Sequence, residues 1–205
     1  MHAYANPIHA QRIATALRAA IPELYVSLSS VVSPQMRELP RFNTVIANAY
    51  VQPRMAAYLD RLVAKLHGAS VNAPVFLLHS GGGLISLETA IEQPVRLLES
   101  GPAGGAIFAA EFARAHGIDK ALSFDMGGTT AKICLIEDGK PKTANSFEIA
   151  RTYRFKKGSG MLVSTPVVEM VEIGARGGSN ASIDTMGRIQ VGPKSAGSEP
   201  GPACY

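Results

Sequence analysis

The stretch SFDMGGTTAKICLIEDGKP, from Ser123 to Pro141, decides the fold. Apolar runs on either side of a glycine pair predict two β-strands, at 121–124 and 131–136. The Asp-Gly pair of EDGK predicts a tight hairpin turn at the far end of the second strand. The segment is therefore predicted to form a hairpin with Asp125 at the end of its first strand.

The turn from Asp125 to Thr130 has the residue types of a phosphate-binding turn. Gly127 and Gly128 lack a Cβ atom, so phosphate oxygens can approach their backbone N–H groups. The hydroxyls of Thr129 and Thr130 add donors, and Asp125 can hold Mg²⁺ through water or orient a nucleophile. The turn is not a P-loop, because GxxxxGK[ST] is missing and a strand follows it. The alternative is an ordinary β-turn capped by an aspartate.

Two further glycine-rich segments precede this hairpin. Ser80–Gly83 is expected to join a strand at 75–79 to a helix at 84–92, where a helix N-terminus can bind an anion; a flexible connection is the alternative. Ser100–Gly105 opens a predicted helix over 100–115, and close packing is favoured there over anion binding. His79 is a possible ligand or acid–base group, although a structural histidine is the favoured interpretation.

A last glycine-rich segment, EIGARGGS, begins at Glu172. Glu172 could polarise water, and Arg176 could hold a carboxylate or phosphate. Gly177 and Gly178 are candidate nucleotide contacts. The alternative is that the acid and the guanidinium pair with each other or face solvent.

The rest of the chain gives a coarse pattern. It predicts a helix at 6–20, a long helix at 43–67 bent or divided by Pro53, strands at 24–29, 147–155 and 167–173, and a hairpin of 181–184 with 188–191. Helices dominate before Gly117 and hairpins after it, so a lobe boundary is predicted there. The chain stops in a loop, which we interpret as the edge of a fragment.

Composition excludes several classes of protein. The chain has 205 residues, of which 46% are hydrophobic, so it is not a disordered protein. The net charge of +4 comes from scattered residues, which argues against nucleic acid as a partner. No segment has the apolar length of a membrane helix or a signal peptide. Cys134 and Cys204 form no zinc motif; Cys134 is expected to be a buried thiol, and a cytoplasmic location is predicted.

Four stretches together resemble one family. RFNTVIANAYVQPRMAAYL, SGGGLISLETAIEQPVRLLESGPAGG, FDMGGTTAKICLIEDG and VGPKSAGSEPGPACY are similar to hydantoinase A / 5-oxoprolinase proteins. These include N-methylhydantoinase A and the ATP-binding subunits of acetone and acetophenone carboxylases. Lys132 stands where many members carry an acid.

The resemblance implies an α/β fold of the actin-like ATPase type, with two ribonuclease H-like lobes closing on ATP and Mg²⁺. Residues 1–117 would be the end of the first lobe, and 118–205 the start of the second. The family's first phosphate hairpin has no counterpart here, so the chain is expected to be an incomplete, central fragment that is inactive alone.

The resemblance also implies an activity. Family members open cyclic amides such as hydantoins or 5-oxoproline after ATP phosphorylates the ring carbonyl oxygen, and many work with a separate hydantoinase B-type subunit. We therefore expect a fragment of an ATP-dependent cyclic amide hydrolase. The alternatives are the ATP-binding subunit of a ketone carboxylase and a truncated, non-catalytic binding or assembly module.

Overall fold

A computed structural model describes residues 2–128, 130–153, 156–173, 177–197, 199 and 201. The chain has an α/β fold, with most helices in its first half and most strands in its second. The α-helices are α1 (Ile8–Ala20), α2 (Ser29–Val32), α3 (Glu38–Gly68), α4 (Leu87–Glu92) and α5 (Ser100–Ala115), and a 3₁₀ helix covers Pro94–Leu97. Within the described ranges, none of these helices has the length and apolar character that a bilayer crossing requires.

The strands are short. They are β1 (Phe76–Leu78), β2 (Leu84–Ser86), β3 (Lys120–Met126), β4 (Ala131–Glu137), β5 (Lys140–Pro141), β6 (Thr143–Ala144), β7 (Phe147–Ile149), β8 (Met161–Val163), β9 (Val167–Val168), β10 (Val171–Ile173), β11 (Ser179–Ile183) and β12 (Ile189–Ser195).

The chain folds into two compact units. The helical unit comprises Met1–Gly101 and Thr143–Val167, and the sheet unit comprises Pro102–Lys142 and Val168–Tyr205. This division reflects contacts within the chain, whereas the predicted lobes, 1–117 and 118–205, refer to a longer protein. The lobe assignment therefore stays a prediction.

The helical unit is organised by α3, whose buried face carries a row of polar residues beside apolar ones. Thr44, Asn48 and Gln52 repeat every four residues on this face and are buried. The Asn48 amide donates to the Glu92 carbonyl at 3.0 Å, and the Gln52 amide donates to the Ile91 carbonyl at 3.2 Å. These bonds fix which face of α3 points inward, and they leave apolar side chains exposed on the opposite face, namely Leu39, Phe42, Ile46 and Tyr50.

Pro53 was predicted to bend or divide α3; the helix is not divided, and the bend stays a prediction. The helix begins at Glu38 and runs through Pro53 to Gly68. Proline removes one backbone hydrogen bond of the helix. The side-chain bonds of Asn48 and Gln52, on the turn before Pro53, anchor the helix to the α4 segment and offset this loss.

Two boundaries in the helical unit were predicted wrongly. Residues 24–28 form no strand, and Ser29–Val32 is a short helix, because an apolar pattern makes a strand only where a partner strand is available. The predicted helix at 84–92 begins only at Leu87, where the Ser86 hydroxyl accepts a bond from the Thr89 amide. Leu84–Ser86 is instead a strand that pairs with Phe76–Leu78.

The sheet unit confirms the hairpin predicted from the opening stretch. β3 pairs with β4 from Lys120↔Glu137 to Met126↔Ala131, and β10 pairs with the other edge of β4. Asp138 and Gly139 form the predicted turn to β5, with φ of 51° and 67°.

One face of this sheet packs against α5. Ala103 and Ala106 of α5 form a buried cluster with Cys134 and Val168. Cys134 is a free, buried thiol, as predicted, and burial raises its pKa. The opposite face is apolar and exposed, and it carries Leu122, Phe124, Leu135 and Val171.

The later strands follow the prediction less closely. Of the strand predicted at 147–155, Phe147–Ile149 forms, residues 150–153 do not continue it, and residues 154 and 155 lie outside the described residues. The 167–173 segment splits into β9 and β10. The predicted hairpin of 181–184 with 188–191 is confirmed and is longer, because β11 and β12 pair from Ser179↔Ser195 to Ile183↔Ile189.

Candidate nucleotide-phosphate site

The candidate turn closes the hairpin of β3 and β4. The Gly127 amide donates to the Thr130 carbonyl at 3.0 Å, which makes a tight turn with Gly128 at its centre. The Gly127 carbonyl accepts from the Gly177 amide at 3.0 Å. The structure therefore brings together two glycine segments that are 50 residues apart in the sequence and that were predicted independently as nucleotide contacts.

This geometry changes the predicted role of Gly127. Its amide closes the turn and is not free for a phosphate. In the part of the chain that the structure describes, the Gly128 amide has no backbone partner. A Cβ atom added at Gly127 would meet only the Thr130 carbonyl oxygen, at 3.7 Å, so the space beside the turn is open. Thr129 lies outside the described residues.

Asp125 belongs to a row of charged residues across three strands. It pairs with Lys132 on β4, and Lys132 pairs on its other side with Glu172 on β10. All three residues lie on the sheet face that carries Cys134, because side chains alternate along a strand. Asp125 and Glu172 are exposed, whereas Lys132 is half-buried. Sequence reasoning considered these residues separately, because the register that joins them is a tertiary feature.

The row offers Mg²⁺ separate carboxylates and no cluster of direct ligands among the described residues, so binding through water stays a prediction. A lysine separates the two carboxylates, and the described residues contain no group of three acidic, histidine or cysteine side chains that could hold a metal. Mg²⁺ commonly keeps several waters and uses one or two carboxylates together with substrate phosphates. Asp125 can supply one such carboxylate from the end of its strand.

The direction of α5 along the sheet follows from its contacts near its two ends. Ala103 and Ala106 pack beside Cys134, whereas a Cβ atom at Gly139, beyond the other end of β4, would lie 3.3 Å from Cβ of Arg114. The helix therefore runs along β4 in the same direction, and its partly positive N-terminus points toward the turn.

Within the Ser100–Gly105 segment, the packing interpretation is supported at Ala103, which is buried. The buried alanines of α5 are Ala103, Ala106, Ala110 and Ala113. A Cβ atom at Gly101 or Gly105 would meet nothing within 4 Å, and nothing in the structure explains these two glycines.

Gly177 has room for a Cβ atom beside it, whereas Gly178 does not. A Cβ atom at Gly177 would meet only the Gly127 oxygen, at 3.6 Å. A Cβ atom at Gly178 would lie 2.6 Å from the Gly197 carbonyl oxygen, so this position is closed by the chain itself. Packing accounts for Gly178, and nucleotide contact through it stays a prediction. Arg176 lies outside the described residues.

The Ser80–Gly83 turn is not a strand-to-helix connection, because it joins β1 to β2 in a hairpin. The Ser80 amide donates to the Arg96 carbonyl at 2.7 Å, and the Gly82 amide donates to the His79 carbonyl at 2.9 Å. The Gly81 amide donates to Nδ1 of His79 at 3.0 Å. With these amides bonded inside the unit, the anion-binding interpretation of this turn is wrong.

Gly81 and Gly83 leave space for the ring of His79, because they lack Cβ atoms. A Cβ atom at Gly81 would lie 2.8 Å from Cε1 of His79, and one at Gly83 would lie 2.7 Å from its Nε2. Burial and, to a smaller extent, the Arg96 guanidinium lower the pKa of His79. Both effects favour the neutral imidazole, and Nδ1 accepts the Gly81 amide. The sequence signal for this arrangement is a histidine with glycines two and four residues after it.

Comparison with known proteins identifies the class of protein. The family model for Hydantoinase/oxoprolinase matches residues 41–205. The chain therefore belongs to the hydantoinase/oxoprolinase family.

Three matches, one to a curated protein and two to solved structures, show how the chain relates to larger proteins. It is 36% identical to caprolactamase subunit alpha of Pseudomonas jessenii over 98% of its own length and 27% of that subunit. The crystal structure of ATP-dependent caprolactamase from the same organism matches 99% of the chain and 28% of its own, with 34% identity and a TM-score of 0.74. A nucleotide-free acetone carboxylase, from work on ATP-dependent acetone carboxylation, matches 96% of the chain and 27% of its own, with 25% identity and a TM-score of 0.73. The chain thus spans under a third of these relatives.

Proposed function

We propose that this chain supplies a phosphate-binding turn to an ATP-dependent enzyme that hydrolyses cyclic amides. The observation that carries the proposal is the turn after Asp125, where the Gly128 amide has no backbone partner among the described residues and the space beside Gly127 is open. The first turn of α5 at the same end of the sheet favours negative charge there. Family membership and the ATP-dependent caprolactamase neighbour support the same chemistry.

The proposed roles follow from position. Gly128, Thr129 and Thr130 would offer donors to phosphate oxygens, and Asp125 would hold Mg²⁺ through water. Gly127 would shape the turn, with Gly177 bonded to its carbonyl. A bound magnesium ion would neutralise phosphate charge during transfer. Gly177 and Gly178 stay candidates for the nucleotide.

The finer fold assignment belongs to the same proposal. An actin-like ATPase with two ribonuclease H-like lobes would hold ATP through an antiparallel hairpin with an aspartate beside its turn, and β3 and β4 have that form. The caprolactamase relative is named a subunit alpha, so we also propose a partner subunit of the hydantoinase B type. A single phosphate turn should bind nucleotide weakly, because catalysis needs donors on both sides of the transferred group.

The turn can be tested by titrating the chain with Mg-ATP and following backbone amides by NMR. We expect saturable shifts at Gly128 and Thr130, and none at Gly187, a glycine in the turn of the β11–β12 hairpin. Asp125→Asn should weaken binding in the presence of Mg²⁺, and Gly128→Val should remove it. Shifts elsewhere with an unchanged Gly128 amide would contradict the proposed site.

The acetone carboxylase neighbour favours a second candidate function, the ATP-binding subunit of a ketone carboxylase. The two functions share the phosphate turn and differ in the second substrate. Release of ADP and phosphate by a full-length protein that contains this chain, together with its B-type partner, distinguishes them when it is assayed with caprolactam, hydantoin and 5-oxoproline against acetone with bicarbonate. Stimulation by a cyclic amide supports the hydrolase, and stimulation only by acetone with bicarbonate supports the carboxylase.

A further inference from the structure

The helical unit contains a cavity that the phosphate turn does not use. It has a volume of about 290 Å³ and lies between α3 and the 3₁₀ helix. Most of its lining is apolar or aromatic, from Tyr50, Val51, Met55, Pro94, Leu97 and Leu98. Typical ligand pockets span about 300–1,000 Å³, so this cavity suits a molecule smaller than a drug-sized ligand.

The walls of the cavity are held in place before any ligand binds. Asn48, one turn before the lining residue Val51, accepts the Val95 amide at 3.2 Å and donates to the Glu92 carbonyl at 3.0 Å. Pro94 and Val95 are fully buried. The 3₁₀ helix is therefore fixed against α3 by buried polar contacts, and a ligand would not have to order the site.

Arg54 is the single charged residue among the described residues that line the cavity. Within the described chain it forms no salt bridge, whereas Arg151, for example, is paired with Glu148 at 3.1 Å. Tyr50 lies four residues before Arg54 on the same side of α3 and is exposed. A planar guanidinium beside apolar walls is complementary to one carboxylate, which it can bind through two parallel hydrogen bonds.

We propose that this cavity binds a small monocarboxylate with an apolar body. The body would lie against Met55, Leu97 and Leu98, and the carboxylate would bind Arg54 at the rim. A triphosphate does not suit the site, because one guanidinium and apolar walls cannot neutralise several charges. The proposal does not depend on the phosphate turn, since every lining residue belongs to the helical unit.

The test compares hexanoate with 1-hexanol, which has the same apolar body without the charge. Methyl groups of Met55, Leu97 and Leu98 are followed by NMR during each titration. We expect saturable shifts with both probes and a Kd for hexanoate at least about tenfold lower, because hydrogen bonds to charged groups are the stronger ones. High salt should weaken hexanoate binding and leave hexanol binding unchanged.

Substitutions of two arginines test whether Arg54 causes the preference for hexanoate over hexanol. Arg54→Gln should abolish the advantage of hexanoate and leave the affinity for hexanol unchanged. Arg61→Gln is the matched control, because it removes an exposed arginine of the same helix that does not line the cavity, and both affinities should stay as in the wild type. Leu97→Trp should fill the cavity and weaken both probes.

The outcomes are decisive in either direction. A preference for hexanoate that survives Arg54→Gln would overturn the proposal, as would hexanoate shifts that never saturate or that spread over residues outside the cavity. If Leu97→Trp fails to fold, the Arg54→Gln and Arg61→Gln pair still decides. A negative result here with saturable Mg-ATP shifts at Gly128 would remove the cavity proposal alone.

Discussion

Two hairpin turns of this chain, Ser80–Gly83 and Gly127–Thr130, contain glycines for opposite reasons. A Cβ atom at Gly83 would lie 2.7 Å from Nε2 of His79, whereas one at Gly127 would lie 3.7 Å from its nearest neighbour. Neither of these two described glycines has a φ in the left-handed region. The difference between them is therefore steric and comes from what lies beside the turn.

In one turn, glycine is needed because a side chain of the protein occupies the neighbouring space. In the other turn, that space stays open. In the first turn the space that a side chain would take is filled by an imidazole ring, and the amides are bonded internally. In the second turn the space is open and the Gly128 amide lacks a backbone partner among the described residues. Only the second arrangement leaves room for a ligand.

The largest expected effect comes from Gly83→Ala. The new methyl group would clash with the His79 ring, and overpacking of this kind costs about 1–3 kcal/mol, so we expect about 2 kcal/mol less unfolding free energy. Urea denaturation followed by circular dichroism measures the change. In a His79→Ala background the same substitution should cost almost nothing, because the ring is gone. An equal loss in both backgrounds would show that the clash is not with His79.

Sequence reasoning predicted the β3–β4 hairpin because every local signal there agrees: two apolar runs, a glycine turn and an Asp-Gly turn. It predicted the helix over 100–115 and favoured close packing of its small residues for the same reason. It assigned the wrong structure to Leu84–Ser86, where a short apolar run is compatible with helix or strand and the partner strand decides.

The candidate site was also predicted only in part, because local sequence patterns do not reveal tertiary contacts. Glycine content identified both turns, but it could not tell that the ring of His79 fills one of them. Sequence reasoning also missed the Asp125–Lys132–Glu172 row, because strand register depends on how β10 reaches β4 across about 35 residues of intervening chain.

Gly139→Ala tests a third use of glycine and should have the next largest effect. Gly139 has a φ of 67°, and its Cβ atom would also lie 3.3 Å from Cβ of Arg114. A residue with a Cβ atom in the left-handed region costs about 1–2 kcal/mol, so we expect a loss of about 1 kcal/mol in urea denaturation. Gly139→Asn is the control and should cost less, because asparagine tolerates this conformation. Equal losses for both variants would attribute the effect to the Arg114 contact.

Gly127→Ala should instead be tolerated. Where the native backbone suits alanine, replacing glycine stabilises a protein by about 0.4–1 kcal/mol through the unfolded chain, so we expect a gain of about 0.5 kcal/mol. The same urea experiment measures it, with Gly83→Ala as the opposite case. A loss of more than about 1 kcal/mol would mean that the space beside the turn is closed, and the proposed phosphate site would lose its main support.

The smallest expected effect is a pH dependence that comes from His79. Its pKa is lowered in the folded chain by burial and by Arg96, so below the unfolded value of 6.5 the unfolded chain takes up a proton that the folded chain does not. The unfolding free energy should therefore fall as the pH drops from 7.5 toward 5, and the fall should level off once the folded imidazole also titrates. His79→Gln removes this group, so the difference between wild type and variant in urea denaturation isolates its contribution. If the unfolding free energies of the two proteins had the same pH dependence, the ring of His79 would titrate like a histidine in solvent. The two turns would then differ only in the space available beside their glycines.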